Sequence, residues 1–325
     1  MTGAAPASVP QSLSLVDILL ATYNGARHLA EQLDSLLAQT HQDFRLLVSD
    51  DGSNDATLEI LNRYHPRFGG RMRLVPHAAA GQGVVRNFEN LMAASLQDGV
   101  AAWVAFCDQD DVWLPGKIAT CLARLQGLQA QVGAGVPCAV HCDLTVVDGA
   151  LQCVHPSFVR HQHYDPARCS AEQMLSVNQV TGCALMVNRA LLALALPMPQ
   201  AVVMHDWWCA LLAGSGRRQF VDEPLILYRQ HGANQLGAKG RSLPDRLARL
   251  LRDAPGVLHR VRWLGRATQA QSRALCQRLR ERGLDDGYVA SYLAWRERSV
   301  WQRLAGYRRY FTGPELDRCS RLLLW

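Results

Sequence analysis

Ala101-Ala102-Trp103-Val104-Ala105-Phe106-Cys107-Asp108-Gln109-Asp110-Asp111 is an apolar run that ends in three carboxylates within four residues. The run from Ala101 to Phe106 is short, aromatic and β-branched enough to read as a buried strand. The carboxylates repel one another, so a strand end that gathers them needs a compensating charge. A hard divalent cation, Mg²⁺ or Mn²⁺, supplies one, since both prefer oxygen ligands and leave room for a substrate diphosphate. The plainer reading is a solvated turn whose aspartates cap a helix starting near Lys117.

The same pattern recurs upstream. Val16–Thr22 reads as a strand, followed by Leu29, Leu33, Leu36 and Leu37 at helical spacing. Phe44–Ser49 is a second strand and runs directly into Asp50-Asp51-Gly52-Ser53. Thr57–Tyr64 predicts a helix stopped by Pro66, Met72–Val75 a third strand, and Asn87–Leu96 another helix before the Ala101 strand. Strands alternating with helices predict an α/β fold, a mixed, mostly parallel sheet with helices on both faces. In such sheets ligands bind beyond the carboxyl ends of the strands. The polar clusters after the first, second and fourth strands all fall at that edge. Downstream, Cys138–Val147, Ala184–Val187 and Phe220–Tyr228 read as strands and Asp206–Ala213 as a helix.

The 325 residues are 49% hydrophobic and 19% charged, which suits a packed core and argues against global disorder. Charge is unevenly placed. Residues 238–325 hold 19 Lys and Arg against 8 Asp and Glu, and residues 1–237 hold 15 against 20. This asymmetry divides the chain into an expected catalytic domain, 14–237, and a basic helical C-terminal region, 238–325. Leu243, Leu247, Leu250 and Leu251 share one helical face there, with Arg246, Arg249 and Arg252 elsewhere. Two readings stay open for this region: peripheral contact with an anionic membrane, or packing on the domain or on a second copy as a homodimer. No nucleic-acid motif is present. No apolar run reaches the ~18 residues of a spanning helix. The start of the chain does not read as a signal peptide, and the 10 scattered cysteines include no CxxC pair. A cytoplasmic enzyme is the expectation, peripheral at most on the inner face of the plasma membrane.

Two further clusters carry chemistry. Asp206, in His205-Asp206-Trp207-Trp208, is either a helix cap or a general base, and the tryptophans either wall a sugar site or join the core. Arg229 and His231, in Tyr228-Arg229-Gln230-His231-Gly232, either bind diphosphate oxygens or close the domain as a polar loop.

The order Thr22-Tyr23-Asn24-Gly25, Asp50-Asp51-Gly52-Ser53, Asp108-x-Asp110-Asp111 and His205-Asp206 resembles the inverting family 2 glycosyltransferases of the GT-A fold over about residues 14–237. Gly83-Val-Val-Arg-Asn87-Phe, Asp-Gln-Asp-Asp-Val-Trp113, Asn178-x-x-Thr181-Gly182-Cys183 and Tyr228-Arg229-Gln230-His231-Gly232 resemble a bacterial subgroup associated with rhamnosyl transfer. The resemblance implies a nucleotide diphosphate sugar, dTDP- or UDP-linked, and a carbohydrate or lipid-linked acceptor in cell-surface polysaccharide or lipopolysaccharide synthesis. Thr22, Tyr23, Asn24, Asp50, Asp51, Asn87, Asp108 and Arg229 would bind the donor. Asp110 of the DXD motif and His231 would serve the metal, with Asp111 in support, and Asp206 would be the base. The Gln-x-x-Arg-Trp signature of processive relatives is absent, which implies transfer of one sugar per acceptor.

Rival classes remain at this stage. Asp108-x-Asp110-x-Val112 fits an aspartyl-phosphate phosphatase motif, with Asp108 as nucleophile. That motif normally follows the first strand of its fold, and here three precede it. A nucleotidyltransferase would need a Gly-rich basic loop after strand one, and Thr22–Arg27 has one glycine. A non-catalytic nucleotide-sugar-binding protein would be expected to lack a metal carboxylate or the base.

Overall fold

The computed structural model describes residues 12–76, 81–230 and 254–311. In chain order the strands and helices are β1 (Ser12–Thr22), α1 (Leu29–Leu37), β2 (Phe44–Asp50), α2 (Thr57–Tyr64), β3 (Met72–Leu74), α3 (Val84–Asp98) and β4 (Ala101–Cys107). Then come β5 (Val112–Trp113), α4 (Lys117–Val132), β6 (Cys138–Val147), β7 (Cys153–His155), α5 (Phe158–His161) and α6 (Ala171–Met174). They are followed by β8 (Leu185–Asn188), α7 (Arg189–Ala195), α8 (His205–Leu212), β9 (Arg217–Arg229), α9 (Ala254–Glu281), α10 (Gly287–Arg296) and α11 (Val300–Tyr310).

The strands form one mixed sheet in the order β3-β2-β1-β4-β8-β6-β9-β5, with β7 added at the end of β6. The first four are parallel to one another. β8 runs antiparallel to both β4 and β6, and β6 and β9 form a second parallel pair. Alternation along the strands builds two cores. Leu19 of β1 and Val104 and Phe106 of β4 face α3, α7 and α8. Ile18, Leu20, Trp103 and Ala105 face α1, α2 and α4 on the other side. Each fully buried Leu, Ile or Phe contributes about 1.5–3 kcal/mol, so this period-two pattern fixes the register of the central strands.

The register places the site. Thr22 lies opposite Asp50, and Leu20 opposite Cys107, so β1, β2 and β4 release their loops at nearly the same level.

Residues 254–311 do not stand apart from the domain. Leu275 and Leu279 of α9, Tyr292 and Trp295 of α10 and Tyr310 of α11 are buried in the same cluster as α7 and α8. Three backbone carbonyls at the C-terminal end of α7 are claimed by one basic side chain. Arg278 Nη1 donates to Leu194 O at 2.6 Å and Leu196 O at 3.1 Å, and its Nη2 to Pro197 O at 2.6 Å. The expected amphipathic face at Leu243–Leu251, and His231, lie outside the described residues.

Candidate active site

The loop after β1 is held on both sides. Thr22 Oγ1 donates to Asp50 Oδ1 at 2.8 Å. Asn24, which adopts a positive φ of 47°, donates its N–H to Ser53 Oγ at 2.8 Å and accepts from Asn54 N at 2.9 Å. Asp50 also accepts from the backbone N–H groups of Gly52 and Ser53. Between these anchors the Tyr23 side chain stands 55% exposed, a free aromatic face at the mouth of the strand ends.

Asp51 and Asn87 take different positions. Asp51 is buried; its N–H donates to Thr22 O at 2.9 Å, while its carboxylate bonds the loop before α3. Its Oδ1 accepts from Gly81 N at 2.8 Å and Gln82 N at 3.1 Å, and its Oδ2 from Gly83 N at 2.8 Å. It therefore shapes the entry to α3. Asn87, on the first turns of α3, donates to the carbonyls of Ser49 at 3.0 Å and Thr22 at 3.3 Å, tying β1 to β2 where both end. Expected as ligand contacts, both side chains are engaged in building the walls.

The turn after β4 supplies the carboxylates. Among the described residues, Asp108, Asp111 and Cys183 form a group whose ligand atoms all lie within 4.8 Å of one another. Burial, then the charges of Asp110 and Asp206, raise the Asp108 carboxyl to about 7. Burial and the charges of Asp110 and Asp108 push Asp111 well above the usual carboxylate range, although the Cys183 thiol and the Arg229 N–H bond to it. A cation would relieve both, and the oxygen-rich donor set fits Mg²⁺ or Mn²⁺, with the Cys183 sulfur as the one soft neighbour. Asp110, the expected ligand, is adjacent to this group rather than within it. His231, the other expected ligand, is outside the described residues.

Arg229 is also placed differently from its expected role at a diphosphate. It is 1% exposed. Its N–H donates to Asp111 Oδ1 at 3.1 Å, its Nε to Asp110 O at 2.9 Å and its Nη1 to Gly149 O at 2.6 Å. Its Nη2 pairs with Glu31 of α1. One guanidinium thus fastens the carboxylate turn to α1 and to the loop after β6.

Asp206 sits on the first turn of α8, 6% exposed. Burial raises its carboxyl to about 7, against the opposing pull of the Trp207, Gly182 and Asn178 hydrogen bonds. Asn178 Nδ2 donates to its Oδ1 at 3.2 Å. Behind it, the His205 ring stacks on Phe88 with centroids 3.8 Å apart, and burial holds the imidazole neutral, at about 3. The tryptophans of this motif belong to the core, with Trp207 Nε1 donating to Met174 O and Trp208 Nε1 to Ala195 O. The structure therefore brings Thr22, Tyr23, Asn24, Asp50, Asp108, Asp110 and Asp206 to one edge of the sheet.

Residues 17–147 match the model of glycosyl transferase family 2. The chain is a glycosyltransferase. This glycosyltransferase is 26% identical over 230 residues to the dTDP-rhamnosyl transferase RfbG of Shigella flexneri, covering 67% of this chain and 74% of that one. It is 26% identical over 231 residues to an uncharacterized glycosyltransferase of Nostoc, covering 67% of this chain and 66% of that protein's length. Over a shorter stretch of 105 residues it is 30% identical to a putative teichuronic acid biosynthesis glycosyltransferase, TuaG, of Bacillus subtilis, covering 32% and 39%. The fold is that of a glycosyltransferase of the GT-A kind. The structure of S. aureus TarS 1–349 in complex with UDP superposes with a TM-score of 0.53 at 16% identity, covering 95% of this chain and 89% of that one.

Sequence motifs found the strand-end clusters, but not the residues that position them. Asn178 and Gly182 were legible as part of a motif without a role, and both bond the Asp206 carboxylate. Glu31 had no signal at all: its partner Arg229 is 198 positions away.

Proposed function

We propose that this glycosyltransferase moves a sugar from a nucleotide diphosphate donor to a hydroxyl of a saccharide or lipid-linked acceptor, by a single displacement that inverts the anomeric centre. The observation that carries the reading is the meeting of two carboxylates from different elements. Asp108 follows β4 and Asp206 lies on the first turn of α8, yet they are close enough for the charge on Asp206 to raise Asp108, and burial lifts both carboxyls to about 7. A carboxylate poised there suits a general base at physiological pH.

In this reading Asp206 takes the proton of the attacking hydroxyl. The hydrogen bonds from Asn178 and Gly182 aim its carboxylate, and the neutral His205 ring behind it adds no competing charge. The exposed Tyr23 ring offers a stacking face to the nucleotide base, and Thr22 and Asp50 fix the loop that carries it. Asp108, Asp110 and Asp111 would hold a divalent cation, which when bound offsets charge on the departing diphosphate. Arg229 keeps that turn in place from behind.

Rhamnose from a dTDP donor is the favoured sugar, because the subgroup resemblance and the similarity to the Shigella protein point the same way; a UDP-linked donor is the alternative. Rhamnosyl transfer by the Shigella relative and the part in teichuronic acid biosynthesis ascribed to the Bacillus one support cell-surface polysaccharide assembly. Among the described residues no helix is long and apolar enough to cross a membrane. Exposed Trp263 and Trp301 in the arginine-rich C-terminal region support peripheral contact with an anionic membrane surface.

Titration calorimetry with dTDP and UDP, in Mn²⁺ or Mg²⁺ and then in EDTA, tests the donor site. Cation-dependent binding of one of them, lost in Asp110→Ala, is the expected result. Absence of binding to any nucleotide under both conditions would remove the reading.

A further inference from the structure

The side chain between the metal-side carboxylates does not point to solvent or to the core. Gln109 reaches across to the loop after β1. Its Oε1 accepts from Tyr23 N at 2.9 Å, and its Nε2 donates to Tyr23 O at 2.9 Å. A primary amide that satisfies both the N–H and the C=O of one residue reproduces what a neighbouring strand would do. The contact is close two residues on as well. A Cβ built on Gly25 would fall 2.1 Å from Gln109 Oε1 and 2.4 Å from its Cδ, so the amide lies against Gly25 and a larger residue there would push the Gln109 side chain out of this arrangement.

The two loops joined this way have different duties. Gln109 is flanked by Asp108 and Asp110, so its backbone moves with the carboxylate turn. Tyr23 is flanked by Thr22 and Asn24, both already pinned to the β2 loop through Asp50 and Ser53. The Gln109 amide links the carboxylate turn to the Tyr23 backbone through two hydrogen bonds. A rearrangement of the turn on taking up a cation is therefore delivered to the Tyr23 backbone, and to the exposed ring that it carries.

We infer that Gln109 is a positioning residue that couples cation binding at the Asp108–Asp111 turn to nucleoside binding at Tyr23. The inference rests on the donor-site reading above and deepens it. Coupling of this kind is reciprocal: whatever factor the cation adds to nucleoside affinity, the nucleoside adds to cation affinity. It is separate from the direct attraction between a cation and a diphosphate, and a probe without phosphates isolates it.

The experiment measures the dissociation constants of thymidine and uridine, by ligand-observed NMR, with and without Mg²⁺, alongside dTDP and UDP as controls. In the wild-type protein Mg²⁺ should tighten binding of one nucleoside by on the order of fivefold, the lower end of measured couplings. Gln109→Ala should bind the nucleoside with no Mg²⁺ effect. Gln109→Asn, one methylene too short to span the gap, should behave the same way, and guards against a defect peculiar to the alanine protein. Gln109→Glu keeps the acceptor for Tyr23 N–H but sets a carboxylate against Tyr23 O, and should also lose the Mg²⁺ effect. A Mg²⁺ factor in Gln109→Ala and Gln109→Asn equal to that of wild type overturns the inference. So does a wild type that binds dTDP or UDP with Mg²⁺ while its nucleoside affinity ignores the cation; the donor-site reading then survives. A wild type that binds no nucleotide at all overturns both.

Discussion

Replacing Asp206 by Asn should stabilise the protein above neutral pH while abolishing its chemistry, and the size of the effect follows from burial. The Asp206 carboxyl is raised from 3.8 to about 7, with burial as the first cause. At 1.36 kcal/mol per pH unit, those roughly three units correspond to about 4 kcal/mol. The sign is fixed by proton uptake. Between pH 4 and 7 the folded protein keeps a proton that the unfolded chain has released, so stability falls as pH rises through that window. The whole cost is present above pH 8. An Asn side chain is neutral in both states and escapes it. One oxygen acceptor is lost, and with three donors aimed at this carboxylate that costs about 1–2 kcal/mol. The variant should therefore be about 2–3 kcal/mol more stable than wild type at pH 8.5, a Tm rise of roughly 4–6 °C for a chain of this size. At pH 5 the two proteins should melt nearly together. Calorimetric melting in EDTA from pH 5 to 9 reads this directly, with transfer activity, expected to fall by a factor of about 10² to 10⁴, measured on the same samples with Mg²⁺. A Tm difference that does not change with pH would refute the reasoning, as would a variant less stable than wild type at pH 8.5.

Two further outcomes follow from contacts of the same kind. The Asn178 hydrogen bond favours the charged form of Asp206; Asn178→Ala should shift the rising limb of the pH–kcat profile to higher pH, by about one unit, and an unmoved limb would show that the bond does not act on the base. Arg278→Ala strips the donors from three carbonyls at the end of α7 and should cost about 3 kcal/mol, seen as a Tm loss of roughly 6 °C; a loss under 1 °C would mean that the C-terminal helices dock without it.

The parts legible in the sequence are those set by short-range pattern. β1, β2 and β4 announce themselves by length and β-branched content, and their polar ends must meet because parallel strands release their loops on one side. Other parts were hidden for particular reasons. The motif Asp50-Asp51 gives no sign that the two carboxylates diverge, one toward Thr22 and the other toward the Gly81–Gly83 amides. Which way each turns depends on backbone dihedrals after the strand, not on residue type. Arg229 looks like an anion-binding arginine until its partners on α1 and after β6 are seen. The start of α4 near Lys117 was legible as a helix after the acidic turn, but its extent to Val132, through Gly127, was not. The excess of positive charge after residue 237 left open whether this region meets a membrane or packs on the domain. Arg278 spends its charge on buried carbonyls, and Leu275, Leu279 and Trp295 join the core of α7 and α8.

β8 lies antiparallel between β4 and β6 and interrupts the parallel order of the sheet. Everything that forms the Tyr23 and Asp50 loops lies on one side of that seam and comes from the first third of the chain; Asn178, Gly182 and Asp206 come from the segments that flank β8 in the chain. The two sets meet behind the site, where His205 stacks on Phe88, Arg86 bonds Met198 O, and Arg189 reaches the carbonyls of Ser95, Leu96 and Ala101. The halves are therefore interlocked rather than exchangeable. Drift in the segment from β7 to α8 can retune what approaches the base only where it keeps the packing of α7 and α8 on α3.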